Sequence, residues 1–154
     1  MNPILGTTTM TQVAIVVKDI EKTKDKWAQF LGMEQAPPTV HSGDDPAIVQ
    51  AVYKGQPAPK AKCKMAFFQF GQVEMELIEP NGEPSTWQDF LDEKGEGIHH
   101  IAFGVKNTDE KLAAAEKIGM PVVQRGKYGD GNGEYAYLDS YGDLKCIVET
   151  LESY

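Results

Sequence analysis

A chain of 154 residues, 41% of them hydrophobic, fits one compact domain with its own core and not a disordered segment. A formal net charge of −8 opposes nonspecific binding to nucleic acid or to an anionic membrane, and with a single arginine, Arg125, an anionic substrate would be held by lysines, backbone amides or a metal. Cys63 and Cys146 are far apart and lack the C-x-x-C spacing of a zinc finger, and with no long apolar run or leader pattern the chain reads as a soluble, cytoplasmic protein with two reduced thiols.

In chain order, the β-branched run QVAIVV (12–17) predicts a strand. It leads into a helix carrying Ile20, Trp27, Phe30 and Leu31 at near-helical spacing, which Gly32 stops. The stretch from Pro37 to Lys62 is rich in Pro, Gly and Asp and predicts turns flanking a strand AIVQAVY (47–53). A closing strand, QVEMELIEP, carries Glu76 in its interior. Next, Ser85 is placed to cap a short linker helix with Trp87, Phe90 and Leu91 on its apolar side and Gly95 just past its end.

The strand GIHHIAFGV (97–105) then opens a second copy of the same plan, with Leu112, Ala115 and Ile118 in its helix and Gly119 at the helix end. GDGNGEY (129–135) has the alternating acidic and amide groups of a calcium loop, but Tyr135 stands where that loop needs its glycine and Tyr141 where it needs its last carboxylate, so it reads as a turn. The final strand, LKCIVETLE, carries Glu149.

Aligned with each other, the halves put Gln12 opposite His100, LGM (31–33) opposite IGM (118–120), and Glu76 opposite Glu149. The expected fold is α+β: two βαβββ modules related by pseudo-twofold symmetry, forming an open mixed sheet that lines a cavity. The chain 1–154 is then a single domain, with a first module over 8–80, a linker helix over 81–96 and a second module over 97–154.

Alternation along the strands puts Gln12, Ala14 and Val16 on one face, and His100, Ala102 and Gly104 on the equivalent face of the second copy. A wall of one polar group and small residues suits a cavity, so His100 is expected to point into it and His99 to pack or cap. Glu76 and Glu149, each flanked by apolar neighbours, are costly to bury without a partner. A strand-end glutamate or a lone histidine is ordinarily structural. Four such residues at equivalent places in two repeats instead point to one site, and Gln12, Glu76, His100 and Glu149 suit a divalent cation. His41, like His99, has no repeat counterpart and is read as structural. Tyr53, Phe68, Trp87 and Phe90 are candidates for an apolar substrate pocket.

At these residues the sequence resembles the vicinal oxygen chelate superfamily, which includes glyoxalase I, methylmalonyl-CoA epimerase, extradiol dioxygenases and the bleomycin-resistance proteins. QVAIVVKDIEKT, VEMELIEP, GEGIHHIAFGV and CIVETLE carry the resemblance over nearly the whole chain. It implies a paired-module, glyoxalase-like fold around a metal (Zn, Ni, Co or Mn), with Gln12, Glu76, His100 and Glu149 as ligands and a homodimer as the assembly. It also implies a metal-dependent isomerase or lyase acting on a small-molecule substrate by proton transfer next to a carbonyl through an enediolate. Glu149 is the expected base and Glu76 the candidate for the opposite face.

Gln12 stands where the epimerases and dioxygenases have histidine, which argues against iron dioxygenase chemistry. AIVQAVYKG lacks the second catalytic carboxylate of the epimerases, Asp44 and Asp45 lying outside the expected strand. Glyoxalase-like action on a hemithioacetal and epimerase-like action on an acyl-CoA both stay open. The alternative is a non-catalytic protein that sequesters a small molecule, as the bleomycin-resistance members do.

Overall fold

The first helix and the linker helix begin where a side chain caps a free backbone N–H and end where a glycine turns the chain. In the computed structural model, which describes residues 3–154, strand β1 (Met10–Val16) runs into helix α1 (Ile20–Leu31). Asp19 accepts from the Lys22 N–H at the helix start, and Gly32 ends the helix in the left-handed region at φ 69°. There follow β2 (Val40–His41), the one-turn α2 (Pro46–Val49), the short β3 (Val52–Tyr53) and β4 (Gln56–Pro57), and the long hairpin of β5 (Cys63–Phe70) and β6 (Val73–Pro80). Helix α3 (Thr86–Lys94) is capped by Ser85, which accepts from the Gln88 N–H, and the Gly95 N–H closes it on Leu91 O. The second copy comprises β7 (Gly97–Gly104), α4 (Thr108–Glu116), β8 (Val122–Lys127), β9 (Gly133–Leu138), the one-turn α5 (Tyr141–Leu144) and β10 (Ile147–Ser153).

The repeat extends to single hydrogen bonds. Met33 N–H donates to Ala28 O at 2.9 Å and Met120 N–H to Ala115 O at 3.1 Å, each just past a positive-φ glycine. Val17 N–H reaches Ile78 O and Val105 N–H reaches Leu151 O, both at 2.8 Å, so each first strand is tied to its own closing strand in the same way.

The ten strands of the described residues form one mixed sheet in the order β2-β5-β6-β1-β7-β10-β9-β8-β3-β4, curled into a half-barrel. β1 and β7 pair antiparallel at its centre, and each is flanked by the parallel closing strand of its own module, β6 or β10. The α+β fold of two βαβββ modules is the one the sequence implies. On the outer face, Val13 and Ile15 join Val17, Ile20, Phe68 and Leu77 under α1. On the inner face, Ala14 and Val16 pack with Trp87, Phe90 and Tyr137, so the linker helix α3 sits against the concave side.

Three local expectations give way to the structure. AIVQAVY is not one strand: Asp45 caps Ala47 N–H, Pro46 takes the first helical position, and Gln50 turns the chain at φ 49°. What remains, Val52 and Tyr53, pairs with Arg125 and Gln124 of β8, so this segment leaves the edge of the first module and joins the edge of the second. Phe30 is 78% exposed, because the inward stripe of α1 is Ile20, Lys24 and Ala28. The Lys24 ammonium escapes to Thr39 and Glu21 while its stem packs. Ile118 lies beyond the end of α4 and is exposed.

A Cβ on Gly133 would lie 2.2 Å from Tyr128 Cε2 and 2.5 Å from Glu152 O, the latter fixed backbone. Gly133→Ala is therefore expected to lower stability by about 1–3 kcal/mol in urea unfolding. Gly142→Ala, where an added Cβ meets nothing within 4 Å, is expected to leave it nearly unchanged.

Candidate active site

The two histidines of GIHHIAFGV owe their arrangement to an irregularity in the central pairing. The register of β1 with β7 runs Ala14 to His100 and then Ile15 to Ile98, so His99 is an extra residue in β7. This bulge breaks the alternation that would send His99 to the other face. Both rings instead reach the same interior, 5.2 Å and 5.1 Å from the Tyr137 ring, with their Nδ1 atoms 2.9 Å apart.

His100 is fully buried, and the other three site residues converge on its Nε2. Gln12 Oε1 lies at 3.0 Å, Glu149 Oε2 at 2.9 Å and Glu76 Oε2 at 3.6 Å. Gln12 comes from β1 and His100 from β7, while the closing strands β6 and β10 bring the glutamates from either side of that pair. Glu149 Oε2, though close to His100, makes no hydrogen bond. Among the described residues His100 is the one basic side chain within 4.0 Å of either carboxylate.

Burial dominates the electrostatics. It pushes the Glu76 carboxyl well above the usual carboxylate range, with the charges of Glu149 and Glu74 adding to the shift. Burial also pushes Glu149 up to about 8, the Tyr137 hydroxyl opposing the shift and Glu74 adding to it. His100 is depressed to about 3 by burial, and His99 is lowered by burial and then by His100. Both imidazoles are thus neutral at pH 7, and among the described residues the glutamates meet no positive charge.

The donor set fits a divalent cation in its chemistry: two carboxylates, an imidazole and an amide oxygen, with one buried carboxylate oxygen left without a partner. Among the described residues no three His, Cys, Asp or Glu side chains form a ready-made metal-holding group; Gln12, Glu76 and Glu149 close on His100.

A cavity of about 300 Å³ adjoins the cluster and is lined by Gln12, Glu74, Glu76 and Glu149 on one side and Trp87, Tyr135 and Tyr137 on another. His41 at the end of β2, Ser42 and Gly43 just after it, and Tyr128 and Gly129 of the β8–β9 turn also line it. The GDGNGEY segment supplies that turn, with Gly131 at φ 74°, and then the first three residues of β9.

Of the four aromatic candidates, Trp87 faces this cavity. Tyr53 instead hydrogen-bonds Asp89, Phe68 packs under α1 with Trp27, and Phe90 packs on His99 at 5.3 Å. The register explains Phe68: it pairs with Met75 on the outer face, whereas Phe67 pairs with Glu76 and lines the cavity. Glu74 was legible in the same alternation, two residues before Glu76, and was missed. Tyr135 and Tyr137 carried no such signal, because their positions depend on how β9 lies against β10.

Residues 11–137 match the family model described as Glyoxalase/Bleomycin resistance protein/Dioxygenase superfamily. The uncharacterized protein YqjC of Bacillus subtilis (strain 168) is 40% identical over 92 residues, 59% of this chain and 66% of that protein. The mitochondrial methylmalonyl-CoA epimerase of Bos taurus is 27% identical over 106 residues, 68% of this chain and 51% of that protein. The chain thus spans just under two thirds of the first of these relatives and about half of the second. The crystal structure of methylmalonyl-CoA epimerase from Mycobacterium tuberculosis shares the fold at a TM-score of 0.66 and 18% identity, over 100% of this chain and 93% of that one.

Glu149 is held protonated over a range where an ordinary carboxyl, at 4.5, is charged. Its contribution to stability is therefore present below pH 4.5 and is lost as pH rises through about 8. Chelator-treated protein is expected to show falling urea midpoints over that window, and Glu149→Gln, neutral at every pH, to flatten the fall. A midpoint that is constant or rises across the window would refute this electrostatic assignment.

Proposed function

Because the chain belongs to the Glyoxalase/Bleomycin resistance protein/Dioxygenase superfamily, we propose that its buried glutamates move a proton at a carbon next to a carbonyl, making it an isomerase of the epimerase kind. The observation that carries this reading is the approach of Glu76 and Glu149 to a single imidazole, at 3.6 Å and 2.9 Å, from the equivalent closing strands of the two modules. An epimerase must take a proton from one face of a carbon and return one to the other. Carboxylates on strands flanking the central pair suit both halves of that task.

In this reading Glu149, buried beside the cavity on the closing strand β10, takes the proton. Glu76 serves the opposite face. Gln12 Oε1 and His100 Nε2 complete the donor set. A divalent cation held by Gln12, Glu76, His100 and Glu149, whether zinc, nickel, cobalt or manganese, would supply positive charge where negative charge develops on the substrate oxygens. Trp87, Tyr135 and Tyr137 exclude water from the reacting carbon.

The substrate is a small acyl thioester with an acidic α-carbon, of which methylmalonyl-CoA is the first to test, given the matched epimerases. The cavity holds an acyl head and not a whole coenzyme. The working unit is the domain 1–154, with modules over 8–80 and 97–154 joined by the helix at 81–96, acting as a cytoplasmic homodimer. Among the described residues no helix is long and apolar enough to cross a membrane.

Wild-type protein supplied in turn with each of the four metals is expected to exchange the α-hydrogen of methylmalonyl-CoA for solvent deuterium, followed by proton NMR. Glu149→Gln should slow that exchange about 10²–10⁴-fold. Failure to exchange with any of the metals, together with turnover of a hemithioacetal, would replace the epimerase by a glyoxalase-like lyase. Tight binding without turnover of either would favour a sequestering protein.

A further inference from the structure

The hydrogen bonds around His100 each leave one choice of direction. The Glu74 carboxylate accepts from Gln12 Nε2 at 2.8 Å, which turns Gln12 Oε1 toward His100. That oxygen can only accept, so its 3.0 Å contact with His100 Nε2 places a proton on Nε2. A neutral imidazole carries one N–H, so His100 Nδ1 is bare and accepts from His99 Nδ1–H at 2.9 Å. His99 Nε2 is then bare as well. Among the described residues it has no partner at hydrogen-bond distance, and the Thr86 backbone is the polar group beside the ring that favours its protonation.

Holding a cation, as the proposed function requires, reverses this chain. His100 must offer the Nε2 lone pair, so its proton moves to Nδ1 and needs an acceptor there. Among the described residues the group bonded to that nitrogen is His99 Nδ1, which can accept once its own proton sits on Nε2. We propose that His99 is the positioning residue for His100: the two rings change tautomer together, one arrangement closing the site on Gln12 and the other presenting Nε2 as a ligand.

The protons balance. His100 gives one up at Nε2 and gains one at Nδ1, while His99 gives one up at Nδ1 and gains one at Nε2. Each ring keeps a single proton and no charge, so the pair releases none. The bulge acquires a purpose in this scheme, since regular alternation would remove His99 from reach. The proposal rests on the cation reading of the preceding subsection and extends it to a residue that touches neither cation nor substrate.

The test uses the full chain, uniformly ¹⁵N-labelled and chelator-treated, with two-bond ¹H–¹⁵N correlation spectra recorded before and during titration with zinc. The exposed His41 serves as the internal reference. Before zinc, His99 is expected as the Nδ1–H tautomer and His100 as the Nε2–H tautomer; at saturation both are exchanged. The opposite tautomer of either ring before zinc, or a His99 unchanged when His100 binds zinc, overturns the proposal.

In parallel, His99→Phe is expected to weaken zinc binding about 10–100-fold. His99→Asn, whose carboxamide offers either an acceptor or a donor near the same place, is expected to restore it to within several-fold. Equal zinc affinity in wild type and His99→Phe overturns the role of His99 and leaves the proposed function standing. Wild-type protein that binds no zinc overturns the cation reading, and this proposal with it.

Discussion

The antiparallel pairing of β1 with β7 is the constraint from which the rest of this molecule follows. It joins two modules edge to edge and brings Gln12 to His100 across 88 residues of chain. It also gives each closing strand a fixed parallel seat, β6 beside β1 and β10 beside β7, so the two glutamates arrive from either side. A one-residue slip in that register would send Gln12 and His100 to opposite faces of the sheet. The large apolar side chains on the outer face, which α1 covers, oppose such a slip.

That arrangement places carboxylates where they are expensive. Two buried glutamates, with Glu74 beside them, face one neutral imidazole and no arginine. The single arginine is engaged elsewhere, between Glu134 and Asp109. Among the described residues Lys127 is the one lysine in the cavity lining. A site built to bind a cation or shift a proton is ordinarily less stable than an apolar replacement, and raised carboxyl pKa values are the physical form that cost takes here.

The segment after β2 decides how open the half-barrel is. Its chain begins at one sheet edge, passes through α2 and pairs as β3 on the opposite edge. On the way Gly43 packs on Gly129 so closely that an added Cβ would lie 2.6 Å from the Gly129 Cα. Glycine is needed there for lack of room. The crossing narrows a groove that a bare half-barrel would leave broad, and sets the scale of the cavity beside the glutamates.

What the sequence determined by itself was periodic and local. The internal repeat, the helix cap at Ser85, the glycine stops at Gly32 and Gly95 and the inward face of β1 all follow from spacing within a few residues. So does the grouping of Gln12, Glu76, His100 and Glu149, because equivalent positions in two repeats meet when the repeats pair. The tertiary structure alone decided the rest. The bulge at His99 arises from register between strands far apart in sequence, and alternation within β7 holds no trace of it. AIVQAVY is apolar enough for a strand, yet Pro46 and the pull of the β8 edge divide it into a turn of helix and two paired residues. Phe67 and Phe68 differ only in which neighbour on β6 each meets, and that pairing sends one to the cavity and the other beneath α1. Local pattern specifies which residues share a face; only the packed sheet specifies what that face encloses.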